Sequence, residues 1–167
     1  MHWKRWFRHV FATRSSVLRA FPPATLDAIE MAIDDSEHHH RGEIRFAIEG
    51  ALEPRAVWAG KTPRERAIEV FAALGVWDTA ENNGVLIYVL LADRDVEIVA
   101  DRGFNMRVTS EQWHAVCEEI DREFAAGRHR EGAVLGVQRV GRIIANFFPQ
   151  LAGRRDEDEL PNRPAIL

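Results

Sequence analysis

The sequence predicts an α/β fold: a three-layer α/β/α sandwich around a small mixed β-sheet, with helices on both faces. Three observations carry that expectation. The first is a near-continuous apolar run from Val85 to Leu91, which suits a strand covered on both sides. The second is the short turn Ala92-Asp93-Arg94-Asp95, which leads into Val96 to Ala100 and predicts a tight antiparallel hairpin. The third lies upstream, where Ile44, Phe46 and Ile48 alternate with Glu43, Arg45 and Glu49. A helical pattern separates that strand from the Val85 run. Strand, crossover helix and strand make one right-handed β-α-β unit, hence a parallel pair.

The flanking segments supply the helices. Trp3, Trp6, Phe7, Val10 and Phe11 fall on one stripe of an amphipathic helix, with Lys4, Arg5 and Arg8 off it. Residues 1–20 therefore form a basic N-terminal arm. It either docks on its own domain or meets a membrane surface or a partner. Pro22-Pro23 opens a helix to about Glu37, with Leu26, Ile29 and Ile33 facing inward. Gly50 to Lys61 reads as a loop. Thr62-Pro63-Arg64-Glu65 is a capping box with proline at the first helical position, and its helix should bury Ile68, Phe71 and Leu74. Thr109 opens a helix striped by Trp113, Val116, Cys117, Ile120 and Phe124 and stopped by Gly127. The last helix, about Glu131 to Phe147, buries Ala133, Val137, Val140, Ile144 and Phe147. Its Gly132, Gly136 and Gly141 should admit a neighbouring element closely. Residues 21–150 thus form the domain. The charge-dense, proline-containing segment 151–167 is expected to be a disordered tail.

Composition excludes several classes. A chain of 167 residues with 46% hydrophobic and 29% charged residues is an ordinary single globular domain. The net charge of −4 argues against nucleic-acid binding by the whole chain. Cys117 is the single cysteine, so no internal disulfide forms, and its place in an apolar stripe makes it core filler. No run approaches the roughly 20 apolar residues of a membrane helix, and no signal-peptide core follows the basic start. A cytoplasmic protein without a transmembrane segment is the default expectation.

The topology brings polar residues together. Parallel first and second strands begin at one sheet edge, and the antiparallel third strand ends there. Glu37, His38, His39, His40 and Glu43 lead into the first strand; Asp78, Glu81, Asn82 and Asn83 into the second; Asp101 and Arg102 leave the third. Carboxylates and amide oxygens gathered at one place suit a hard divalent cation such as calcium. The alternative is that they are turn residues bonded to nearby backbone. Asp93 and Asp95, at the opposite end, read as a solvated hairpin turn. The three histidines follow one another at a helix end and cannot all bind one zinc ion; they read as a solvated helix terminus. No serine or cysteine shows the pattern of an activated nucleophile.

Asn82-Asn83-Gly84-Val85-Leu86-Ile87, then Asp93-Arg94, then Val96-Glu97-Ile98-Val99-Ala100-Asp101-Arg102-Gly103 resemble the TPM domain family, first described in thylakoid-lumen and photosystem II repair proteins. Ala67-Ile68-Glu69-Val70-Phe71, Trp77-Asp78 and Arg41-Gly42-Glu43-Ile44 fit the same pattern, and the likeness covers about Phe21 to Pro149. The chain looks like a short, soluble bacterial branch. Many relatives carry a signal peptide and a membrane helix or low-complexity tail, and neither is legible here. The aspartate-containing opening of the family is replaced by Ala20-Phe21-Pro22-Pro23, and its glycine-aromatic-glycine by Gly103-Phe104-Asn105. The resemblance implies an α/β/α sandwich, divalent-cation binding as reported for some members, and phosphatase activity as proposed for others.

Two functions follow as expectations. One is a cation-binding accessory or interaction module acting on an unidentified protein partner. It would bind Ca²⁺, with Mg²⁺ as the alternative, through Glu43, Asp78, Asn83 and Asp101, with Glu37 or Glu81 as further ligands and Arg102 paired to a carboxylate. The other is a metal-dependent phosphomonoesterase using the same carboxylates, with Arg102 or Arg41 on the phosphoryl oxygens. Gly84 is expected to permit close approach to the Asp101-Arg102-Gly103 segment.

Overall fold

A computed structural model describes residues 3–11, 14–151 and 158–167, without the side chains of Phe11 and Arg14. Its elements are α1 (Trp3–Phe11), α2 (Arg14–Ala20), α3 (Pro23–Glu37), β1 (Ile44–Glu49), α4 (Pro54–Trp58), α5 (Pro63–Ala73), β2 (Val85–Leu90), β3 (Asp95–Ala100), a 3₁₀ turn (Arg102–Phe104), α6 (Ser110–Ala125), α7 (His129–Phe147) and β4 (Ala165–Ile166).

The strands run in the order β3-β2-β1-β4. β1 and β2 are parallel, Ile44 beside Val85, and β2 and β3 are antiparallel, Val85 beside Ala100. Every residue of β1 and β2 is buried, because both faces are covered. Ile44, Phe46, Ile48, Val85, Ile87 and Val89 face α3, α6 and α7 in one core. Ala47, Leu86, Tyr88 and Leu90 face the other way, onto Ala67 and Val70 of α5 and Val57 of α4. That is the α/β/α sandwich.

Local chemistry sets the helix boundaries. Thr62 and Glu65 form the reciprocal capping box of α5, with Thr62 Oγ1 accepting from Glu65 N–H and Glu65 accepting from Thr62 N–H. Thr109 and Gln112 do the same for α6. The stripes of α6 and α7 are buried as expected. A Cβ at Gly136 would stand 2.6 Å from Ile120 Cδ1, and one at Gly141 would collide with Ser36 Oγ. The α7 glycines thus let α6 and α3 pack against its backbone.

Four expectations change. Residues 158–167 form no disordered tail: β4 pairs in parallel with β1, Leu160 is buried, and Arg45 donates to Pro161 O at 2.6 Å and to Arg163 O. The free outer edge of β1 recruits them; residues 152–157 lie outside the described part. The supposed loop from Gly50 to Lys61 contains α4, a five-residue helix with proline at its first position. In α5 Phe71 and Leu74 pack partly buried against the core as expected, but Ile68 is 49% exposed, and the fully buried positions are Ala67 and Val70.

The fourth concerns α1, which docks, but by its polar side. Arg5 binds Asp93 through Nε at 3.0 Å and Nη2 at 2.7 Å. His9 is buried, accepts Leu52 N–H on Nδ1 at 2.9 Å, and holds Nε2 3.1 Å from Asp93 Oδ1. The accepting Nδ1 places the neutral ring's proton on Nε2, facing Asp93. Trp6 packs on the α5-side core, while Trp3, Phe7 and Val10 stay exposed. Asp93 is therefore no solvated turn residue. Burial pushes its carboxyl up, but hydrogen bonds from Arg5 and His9 together pull it below the usual range.

Candidate functional site

The polar loops meet at the sheet edge where β1 and β2 begin. Val85 N–H donates to Glu43 O at 2.8 Å, which extends the parallel ladder by one residue. Asp101 N–H donates to Gly84 O at 2.9 Å, and Gly103 N–H to Asn82 O at 2.9 Å. Arg102 Nε donates to Asn82 Oδ1 at 2.7 Å, so Arg102 pairs with an amide and not with the expected carboxylate. Asn82 adopts φ 53°, the left-handed turn that asparagine tolerates. Asn83 Nδ2 donates to Arg41 O at 2.6 Å, tying the second loop to the first.

Gly84 does permit a close approach, but of a different neighbour. A Cβ there would collide with the Val76 carbonyl oxygen. It is Gly103 whose Cβ would meet the Asn82 carbonyl. Alternation explains the difference, since position 84 shares the face of Leu86, which looks toward α5 and the segment following it.

The expected ligands separate into groups. Asp78 is exposed. Glu81 is paired with Arg41 Nη1 at 2.5 Å. Asp101 Oδ1 accepts the Arg102 N–H at 2.7 Å, capping the 3₁₀ turn, while its Oδ2 is buried without a protein partner. Asn83 Oδ1 is likewise buried and unpartnered. Glu43 and Glu37, however, share a cavity of about 220 Å³ between the end of α3, the start of β1 and the returning chain near Asp158. Asp34, His40 and Asp158 also line it.

This cavity has unusual electrostatics. Glu37 Oε1 accepts Ile44 N–H at 3.0 Å, capping the β1 edge beyond the reach of β4, and its Oε2 is buried with no partner. Burial pushes Glu37 up to about 8 against the Ile44 hydrogen bond and the nearby Asn162 side chain, and the charges of Glu43 and Asp158 push the same way as burial. Glu43 Oε2 accepts Leu160 N–H at 3.1 Å. Burial pushes Glu43 up to about 7, with Glu159 and Asp158 adding to it. Burial also lowers His40 to about 4, so its ring is neutral near pH 7. His40 Nε2 lies 3.0 Å from Ser36 Oγ. His38 and His39 instead reach back with Nδ1 to the carbonyls of Asp34 and Asp35, at 2.6 and 2.9 Å, as an exposed helix end.

Asp34, His38, His40, Gln150 and Asp158 are polar lining residues that the expected ligand set did not include. Asp158 and the Leu160 N–H come from the C-terminal return, which carries no strong strand pattern. The legible signal was Glu37 and Glu43 flanking the helix-to-strand turn. Among the described residues, no three or more His, Cys, Asp or Glu side chains are gathered closely enough to hold a metal ion by themselves. The two glutamates offer hard oxygen donors, one of them free, which fits a cation that keeps part of its water shell. Elsewhere, burial pushes the Cys117 thiol up to about 12, consistent with core filler.

Known proteins share this architecture. The protein BA42 from the psychrophilic bacterium Bizionia argentinensis, solved by NMR, is 34% identical, with a TM-score of 0.74 over 86% of this chain and 92% of its own. The N-terminal domain of a P. gingivalis protein matches with a TM-score of 0.57 at 16% identity, over 74% of this chain and 76% of its own. The N-terminal domain of the cg2496 protein from Corynebacterium glutamicum matches at 0.56 and 14%, over 82% and 80%. These last two show the fold alone. No curated protein matches. No helix among the described residues is long and apolar enough to cross a membrane. The family profile described as the TPM domain matches residues 19–143, which takes in β1, β2, β3 and the loops at which they begin and end but not the C-terminal return, and the chain belongs to the TPM domain family.

Proposed function

We propose that this chain is a divalent-cation-binding module whose ion sits in the acidic cavity against Glu37 and Glu43. The observation that carries the reading is that these two carboxyl groups line one cavity, with Glu37 Oε2 buried beside Asn162 and making no close hydrogen bond. A buried carboxylate is costly unless paired, and a cation between the two supplies the missing charge. Calcium suits oxygen donors and irregular geometry, with water completing its shell. Magnesium is the alternative, since it commonly keeps several waters and one or two carboxylates. In this reading Asp78, Asn83 and Asp101 shape the edge without ligating the ion. The module would act on a protein partner, with the cation setting the position of the 158–160 return.

The phosphomonoesterase reading has less support. Arg41, which it would use, is committed to Glu81 and to Pro149 O at 3.1 Å, and Arg102 to Asn82.

Isothermal titration of Ca²⁺ and of Mg²⁺ at pH 8 tests the proposal. Saturable binding is expected, lost at least tenfold in Glu37→Gln/Glu43→Gln and unchanged in Asp78→Asn. No binding to the unsubstituted chain, or equal binding to the double variant, would overturn it.

A further inference from the structure

α1 turns its polar side to the domain and its aromatic side away. Arg5 and His9 face Asp93, and Trp6 packs on the α5-side core. Trp3, Phe7 and Val10 are 56%, 45% and 40% exposed. At 3.6 residues per turn, Phe7 lies across the helix from Arg5 and His9, with Trp3 and Val10 beside it. The Trp3 and Phe7 rings meet edge to face at 5.9 Å and form one ridge. Trp58 at the end of α4, which packs beside α1, adds a further exposed indole.

Charge indicates what this ridge meets. Residues 1–20 hold Lys4, Arg5, Arg8, Arg14 and Arg19 and no aspartate or glutamate, in a chain whose net charge is −4. Lys4 and Arg8 border the ridge on one flank and are exposed; Lys4 Nζ stands 5.8 Å from the Trp3 ring centroid. Asp93, the carboxylate against the helix, is buried under Arg5 and His9, and Arg8 reaches it only at 3.4 Å. An aromatic ridge with a cationic margin is complementary to an anionic lipid surface, where indole and phenyl rings enter the headgroup region and lysine and arginine meet negative headgroups.

We propose that α1 seats the protein on an anionic lipid bilayer, with Trp3, Phe7 and Val10 at the headgroup–acyl boundary and Lys4 and Arg8 against the headgroups. A short helix is a marginal anchor when it must fold on the membrane. Here Arg5 and His9 already hold it folded and facing outward, so that ordering cost does not fall on lipid binding. Nine residues are too few to span a bilayer, so the contact is shallow and reversible. The acidic remainder of the chain is repelled by the same surface, which orients the domain away from it.

The test is co-sedimentation of the full chain with vesicles of phosphatidylcholine alone and of phosphatidylcholine with about 30% phosphatidylserine. EDTA is present throughout, so the outcome does not depend on the Glu37–Glu43 site. Binding to the anionic vesicles should be about tenfold tighter than to the neutral ones, and should be lost in roughly 0.5 M salt. Trp3→Ala should weaken it about tenfold and Lys4→Gln/Arg8→Gln severalfold, with melting temperatures unchanged because these side chains are exposed. In NMR spectra with anionic bicelles, a spin-labelled lipid should broaden the Trp3, Phe7 and Val10 signals and spare Ile144. No binding, equal binding to both vesicles, binding indifferent to Trp3→Ala, or a dimer that covers Trp3 and Phe7 without lipid would overturn the proposal.

Discussion

Glu37 is the residue whose environment departs most from what its neighbours in sequence suggest. Its folded pKa of about 8 lies far above that of an exposed glutamate, so the native state holds the proton more tightly than the unfolded chain. Its stabilising contribution is complete below about pH 4 and is lost as pH rises through about 8. Thermal melting should therefore show stability falling between pH 5 and 8.5. Glu37→Gln, which keeps the acceptor for Ile44 N–H, should flatten that slope and gain on the order of 1–2 kcal/mol at pH 8.5. An unchanged slope would contradict the buried-carboxyl account. Glu37, Glu43 and Asn83 were legible as polar groups at one edge because strand direction alone brings them together. The separation of Asn83 from the two glutamates was not, because its side chain turns to the Arg41 carbonyl instead of the cavity.

At the scale of elements, caps and stripes were the legible part. Thr62, Thr109 and the α6 and α7 patterns are local, and the structure keeps them. α1 docks, one of its two expected fates, but Asp93 draws in its polar side and leaves Trp3, Phe7 and Val10 exposed. Removing Asp93 takes away the carboxylate that Arg5 binds at 2.7 Å and the charge 3.1 Å from buried His9 Nε2. Asp93→Ala should cost about 1–3 kcal/mol in chemical denaturation. Because the folded pKa of Asp93 is depressed, this clasp is present at neutral pH and lost as pH falls through that pKa, the reverse of Glu37. Gly84→Ala, which drives a methyl into the Val76 carbonyl, should cost about 1–3 kcal/mol by overpacking, where an ordinary glycine would be neutral. α4 is not legible in the sequence because its five residues hold too little periodicity.

Across the whole molecule, the C-terminal return closes the account. β4 has two residues, too few for an alternating pattern, and its place is set by the free edge of β1 more than 110 residues earlier, as the Arg45–Pro161 bond shows. Ending the chain before Asp158 removes buried Leu160, two acceptors of Arg45 and the donor of Glu43. That truncation should cost at least about 3 kcal/mol and abolish cation binding. The central claim, that Glu37 and Glu43 hold a divalent cation, is tested most directly by calorimetric melting at pH 8 with and without Ca²⁺, in the unsubstituted chain and in Glu37→Gln/Glu43→Gln. At a hundredfold excess over Kd the unsubstituted chain should gain about 2.7 kcal/mol, or roughly 5–10 °C in Tm, and the double variant nothing. An equal gain in both, or no gain in either, would contradict it.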